Sequence, residues 1–322
     1  MGKFDKILFK STTATPNLIL YVKNTPLYNI TTNTIISTNH LPQVLQTNPC
    51  YEAFINWRNI RKSNKKNKTA TLLLRHALKN NHKNFDIKTY LLSLSDLYWI
   101  KEETSHIKFE DISPYYQLFW GSTLDNLPKY RTGSIPTIIT NGVLDKHWID
   151  KTILLKPYNQ NEYESYKLCK QLNVPVAPYL LTEKYTQTTN FTNAFNYLEP
   201  ASSHVLYSGC GYSMYDIINE FDFGLEMLII DAIIGNTDRH SGNFGYLVNV
   251  DTNAKSQAPL YDFDKALNDP ANLLLKNIAK LNKELSSPAI RDMIINFTDT
   301  LIEDPKTYIP FRYRAIELRK LV

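Results

Sequence analysis

Apolar positions come in short β-prone blocks near the start of this chain and in longer, helically spaced blocks near its end. Leu18–Val22 is a continuous apolar run, and residues 31–37 are rich in Thr and Ile. Both read as short strands. Residues 51–103 read as mainly helical, led by Tyr51, Phe54, Ile55 and Trp57, with further helices over 71–78 and 87–94. Within this region Tyr98 and Trp99 read as core aromatics beside a turn at Ser95-Asp96. Residues 135–140 are strand-like, and Asn141-Gly142 predicts a hairpin turn. The return strand takes His147-Trp148 and residues 152–155. Residues 161–172 begin acidic and end basic, as a helix does. Strand-like runs recur at 174–181 and 195–198. Residues 213–234 read as a helix pair or one broken helix, with Leu225, Leu228, Ile229, Ala232 and Ile233 on its apolar face. Residues 244–250 and 258–261 flank a polar turn and predict a second hairpin. The pattern over 271–322 is helical. No repeat or low-complexity segment interrupts the pattern, which is that of an α+β protein.

Composition narrows the classes. The 322 residues are 43% hydrophobic and 21% charged, ordinary for globular protein, and long enough for one large or two modest domains. A net charge of +5 suits anionic ligands but is no nucleic-acid signature by itself. Six basic residues fall within the eleven from Arg58 to Lys68. No aromatics interleave with them, so a solvated loop is expected and direct nucleic-acid binding is not. Cys50, Cys169 and Cys210 are scattered and odd in number, which excludes a disulfide scaffold and points to a reducing compartment. The start of the chain has no long apolar segment and no run reaches membrane-spanning length, so a soluble, cytoplasmic protein is expected.

The candidate chemistry lies in residues 234–245, between the apolar helix and the second hairpin. Asp238 and Asn243 stand five positions apart. Protein kinases use that offset in the catalytic loop, where the Asp accepts the substrate hydroxyl proton and the Asn holds magnesium. Asp262, in Tyr261-Asp262-Phe263-Asp264, is the second candidate metal ligand. A turn centred near Asn253 would set Asn243 opposite Asp262 at the open end of the hairpin. Asp264 is open between a second-metal role and a turn cap. Lys156 ends an apolar strand, the position of the phosphate-binding lysine of kinases. Glu162, early in the next helix, can orient it, with Glu164 as the alternative. The Asn141-Gly142 hairpin can cover phosphates with backbone N–H groups. Arg239 and His240 read as supports of the loop, since Asp238 fills the role of base.

Asn236-x-Asp238-Arg239-His240-x-x-Asn243 followed by Tyr261-Asp262 resembles the HipA-like serine/threonine kinases. Residues 92–101 resemble a segment of clostridial-type HipA-like proteins, and Gly142–Lys146 looks like the family's nucleotide loop, with Leu144 in place of Gln. The shorter Asp-Arg-His-x-x-Asn also looks like the phosphatidylinositol 3/4-kinases. The HipA-like resemblance implies a two-lobed protein-kinase-like fold: an extension over 1–127, a β-rich N-lobe over 128–200 and a helical C-lobe over 201–322. It implies ATP and Mg2+ as cofactors and a protein Ser/Thr hydroxyl as acceptor. Asp238 would be catalytic, Asn243 and Asp262 would bind metal, and Lys156, Glu162, Asn141 and Gly142 would bind nucleotide. It also implies growth control as a toxin or effector, an antitoxin as partner, and self-phosphorylation at Ser134, Thr137 or Thr140. Lipid or small-molecule phosphorylation and nucleotidyl transfer are the alternative chemistries.

Overall fold

The β1 strand (Leu18–Val22) is apolar at every position and buried at all but one, which makes it an interior strand. It turns tightly into β2 (Thr25–Asn29), and β3 (Thr34–Ile35) follows. These elements belong to a computed structural model that describes residues 17–61, 90–116, 140, 145–203 and 213–322. In chain order come α1 (Gln43–Thr47), α2 (Tyr51–Arg61), β4 (Tyr98–Glu102), α3 (Phe109–Ile112), β5 (His147–Trp148) and β6 (Ile153–Pro157). Next are α4 (Gln160–Gln171), β7 (Tyr179–Leu181), β8 (Tyr185–Thr189), β9 (Asn196–Pro200), α5 (Met214–Glu220) and α6 (Gly224–Ile234). Last are β10 (Gly245–Asn249), β11 (Lys255–Gln257), α7 (Leu273–Leu285), α8 (Pro288–Glu303) and α9 (Ile309–Leu321). The fold mixes antiparallel sheets with several helices.

The chain divides into two compact units. The first takes the ranges Met1–Pro157, Thr189–Gly209 and Tyr246–Ser256. Its main sheet has the order β3-β2-β1-β4, with Leu18 paired to Glu102 and Val22 to Tyr98 across the β1–β4 ladder. A second sheet of order β11-β10-β9 adds Tyr197 and Val248 to the same core. Trp57 from α2 meets Tyr98 edge-on at 5.3 Å, and Trp99 is fully buried.

Several expectations change here. Residues 98–102 form a strand, because β1 offers them a full antiparallel partner, and Tyr90 and Leu91 leave the helical region at φ 54°. Residues 90–94 are therefore not helical. The β2 strand falls within residues 1–45, which read as short strands, but is not singled out there, and it carries Pro26, a residue that strand interiors disfavour. Pro26 is tolerated where the β1–β2 register shifts, between Leu20 and Tyr21. Of residues 31–37 only Thr34 and Ile35 pair, since the Asn29 side chain folds Thr31 and Thr32 into a turn. The basic run is not simply solvated. Arg58 and Arg61 are buried, and Arg61 forks onto Asp96 at 2.8 and 2.6 Å while lying over Trp57. The rest of that run, 62–68, lies outside the described residues, as does the helix expected at 71–78.

The second unit takes Tyr158–Thr188, Cys210–Gly245 and Gln257–Val322. Asn159 caps α4 by accepting the Glu162 N–H. Ser213 and Asp216 form a capping box at α5. Gly224 opens α6 beneath α5, where a Cβ would come within 2.1 Å of the Ile217 carbonyl oxygen. Helix α6 carries more than one apolar face. Met227 and every residue from Ile229 to Ile234 are buried, with α5, α7, α8 and α9 packed around it. The C-terminal pattern resolves into three helices, separated by left-handed Ser286 and by prolines in the first turns of α8 and α9.

Candidate active site

The site begins where α6 stops. Gly235 adopts φ 68°, and the Asn236 N–H returns to the Asp231 carbonyl, so the chain leaves the helix in a fixed direction. A Cβ at Gly235 would also meet the Arg314 guanidinium at 3.1 Å. The loop that follows is knitted by local bonds. The Asp238 carbonyl accepts from the His240 N–H at 3.0 Å and from the Asn243 side-chain amide at 2.9 Å. His240 Nδ1 accepts from the Gly242 N–H at 3.0 Å. Asp238 is half-buried and Asn243 is 4% exposed.

Arg239 joins this loop to its surroundings. Its Nε and Nη2 donate to the two oxygens of Asp231 at 2.8 and 3.0 Å. Its Nη1 donates to the carbonyls of Asn243 and Tyr261, both at 2.8 Å. The guanidinium also lies 5.4 Å from the Phe263 ring centre. Burial alone would make it easier to deprotonate. The charge and hydrogen bonds of Asp231 outweigh that, with a further contribution from Asp262, and its pKa is raised. Cys169 feels the same pair, but burial dominates and pushes its thiol well above the ordinary value, so it is not a reactive thiol.

The hairpin register differs from expectation. The Asn249 N–H donates to the Ala254 carbonyl and the Ala258 N–H to the Gly245 carbonyl. This ladder is offset by two residues from one that sets Asn243 directly opposite Asp262. The Asn249 side chain decides it, by gathering the Asp251 and Thr252 N–H groups into an earlier turn. An even shift preserves the faces of the strands. The Asn243 and Asp262 segments are brought together instead by Arg239 Nη1, which serves the carbonyls of Asn243 and of the residue preceding Asp262. Asp262 itself takes φ 64°, and its N–H donates to the Tyr179 hydroxyl at 3.0 Å. Phe263, fully buried, stacks obliquely on the Tyr179 ring.

The remaining candidates are distributed as follows. Glu162, in the first turn of α4, is fully buried. Glu164 instead pairs with the half-exposed Lys167 on its own helix at 2.6 Å. The Asn159 side chain that caps α4 also donates to the Asp264 carbonyl at 3.1 Å, tying the Glu162 helix to the Asp262–Asp264 segment. Lys156, in β6 of the first unit, is 5% exposed and so is not a solvated strand-end lysine. Asn141, Gly142, Ser134 and Thr137 lie outside the described residues. Thr140 is buried, and its hydroxyl accepts from the Trp148 indole N–H at 2.9 Å, so it is not presented at the surface. Among the described residues no three His, Cys, Asp or Glu side chains cluster as a metal site.

Sequence reasoning missed Asp231, Asn159 and Tyr179. Asp231 did leave a signal: a carboxylate inside the run Met-Leu-Ile-Ile-Asp-Ala-Ile-Ile must find a buried partner. Tyr179 left none, since nothing in a strand-like run marks one hydroxyl.

No protein-family model matches this sequence, and no curated protein matches it. Among solved structures, HipA of Shewanella oneidensis MR-1, crystallised with HipB and its operator DNA, superposes with a TM-score of 0.50 at 12% identity, over 95% of this chain and 91% of that one. The Helicobacter pylori proinflammatory kinase CtkA matches with a TM-score of 0.37 at 15% identity, over 55% of this chain and 90% of that one. The HipA likeness shows a HipA-like kinase fold. No helix among the described residues is long and apolar enough to cross a membrane.

Proposed function

We propose that this chain is a kinase that transfers the γ-phosphate of ATP to Ser or Thr hydroxyls of a protein, with magnesium as cofactor. The carrying observation is that one guanidinium, Arg239, bonds the backbone of both the Asp238–Asn243 loop and the Asp262 segment. Catalysis of phosphoryl transfer is mostly positioning and charge neutralisation, and such a fixed loop serves both. The donor set fits a hard cation. The Asn243 amide nitrogen is committed to the Asp238 carbonyl, so its oxygen is the atom that would serve a metal, and the Asp262 carboxylate would be the second ligand. One amide and one carboxylate suit magnesium, which keeps waters and takes phosphate oxygens as further ligands. When bound, it would neutralise charge on the β- and γ-phosphates. Asp238 orients and deprotonates the acceptor hydroxyl.

The direct test is incubation with γ-labelled and α-labelled ATP and with protein or lipid acceptors. Label from the γ position on protein Ser or Thr is expected. Label from the α position identifies a nucleotidyl transferase, and label on lipid alone overturns the protein-kinase reading. Asp262→Ala is expected to weaken magnesium-dependent nucleotide binding by about tenfold or more, because a hard ligand is lost. Asp264→Ala should be mild, and the reverse order in fluorescence titrations would move the metal ligand to Asp264.

A further inference from the structure

The chain approaches Asp262 along a parallel pairing that then stops. Leu260 bridges Val176: its N–H donates to the Pro175 carbonyl and its carbonyl accepts from the Ala177 N–H, both at 2.9 Å. A parallel ladder repeats every second residue, so its next bond would run from the Asp262 N–H to the Ala177 carbonyl. The bridge is instead an isolated one. Asp262 turns into the left-handed region at φ 64°, and its N–H goes to the Tyr179 hydroxyl at 3.0 Å. Residues other than glycine hold that conformation only where their surroundings over-determine it, and such residues gather at functional sites.

The hydroxyl is itself held in place. Tyr179 is 6% exposed, its backbone pairs with Thr188 of β8, and its ring lies 6.0 Å from that of Tyr166 and 6.3 Å from that of Phe263. The residues flanking Asp262 have holds of their own. The Tyr261 carbonyl accepts from Arg239, the Tyr261 hydroxyl donates to the Gly242 carbonyl at 2.9 Å, and the Asp264 carbonyl accepts from Asn159. The bond from Tyr179 acts on Asp262 itself, at the residue where the chain leaves the ladder. We infer that Tyr179 is a positioning residue: its hydroxyl takes the place of a ladder carbonyl, fixes the left-handed turn at Asp262, and so sets the point from which that carboxylate meets a divalent cation. The inference rests on the proposed metal role of Asp262.

The test is binding of Mn2+ to the full chain with ATP present, followed by electron paramagnetic resonance, with thermal melts as the check on folding. Asp262→Asn provides the reference and should lose about tenfold or more in Mn2+ affinity. Tyr179→Phe keeps the ring, removes the acceptor, and should lose about tenfold, as is usual when the partner of a metal ligand is lost. Thr298→Val removes another buried hydroxyl of the second unit, one that donates to the Ile294 carbonyl at 2.8 Å within α8. It controls for general loosening and should stay within about twofold of the wild type. Unchanged affinity in Asp262→Asn overturns the proposed metal site, and the inference with it. A loss in Asp262→Asn with none in Tyr179→Phe overturns only the positioning role, as does an equal loss in Thr298→Val. Amide hydrogen exchange over residues 260–264 of the wild type gives a second reading that needs no variant, and it decides should Tyr179→Phe not fold. Protection before any Mn2+ is added is expected. Fast exchange without metal, slowed only once Mn2+ and ATP are bound, overturns the role of Tyr179.

Discussion

Asp238→Asn is expected to lower phosphoryl transfer by about 10²–10⁴-fold, the range for removing a positioned base. The fold and nucleotide binding should survive. The backbone of Asp238 makes the loop's bonds, through its carbonyl to His240 and Asn243 and its N–H to Asn236. Among the described residues no hydrogen bond or ion pair engages its carboxylate. The amide variant therefore keeps every bond that shapes the loop and loses only the charge that attracts the hydroxyl proton. Single-turnover transfer measured beside ATP binding separates the two effects. Wild-type turnover in the variant would remove Asp238 from the mechanism.

Arg314→Met is expected to destabilise the second unit by about 3–5 kcal/mol, the cost of leaving a buried charge unpaired. Arg314 reaches from α9 to the carbonyls of Ala232 and Ile233, the free end of α6, where a cation also complements the helix dipole. Its Nη2 pairs with Asp269 at 2.8 Å, and its Nη1 bonds the Asp269 carbonyl and the Asn272 side chain. Asp269 in turn accepts the first N–H groups of α7. Burial alone would raise the Asp269 pKa, but the Arg314 bond and the α7 N–H groups outweigh it and hold it below the ordinary value. A carboxylate depressed in the folded state contributes stability in full above its unfolded pKa, about 4, and loses it as pH falls through the folded value. The wild type should therefore weaken below about pH 4, and Arg314→Met should show less of that acid dependence. Thermal melts from pH 3 to 7 provide the check, with Arg314→Lys expected between the two. A variant melting within a degree or two of the wild type would show that Arg314 is dispensable, since roughly 2–4 °C is lost per kcal/mol at this size.

The two largest errors of sequence reading share a cause. Residues 98–102 look helical beside Tyr51–Arg61 but become a strand because Leu18–Val22, far upstream, supplies the ladder. Arg61 looks like part of a solvated basic run but is buried, because Asp96 lies where only tertiary packing brings it. In both cases local composition was read correctly and the partner was absent from the local window. The hairpin register failed for a smaller reason: the Asn249 side chain chose an earlier turn than the polar run suggested.

What the sequence determined by itself was whatever is settled within about four residues, where caps and turns make their bonds. The apolar run became β1, the Asn159 cap began α4, Gly235 ended α6, and the Asp238–Asn243 offset folded into one loop held by that amide on that carbonyl. Tertiary structure alone decided where the buried charges went. Arg61 found Asp96 across 35 positions, Arg314 found Asp269 across 45, and the Asp262 N–H found Tyr179 across 83. A buried ion or donor must be paired, which a sequence shows, but its partner is whichever group the packed helices and strands carry to within about 3 Å, which no spacing along the chain encodes.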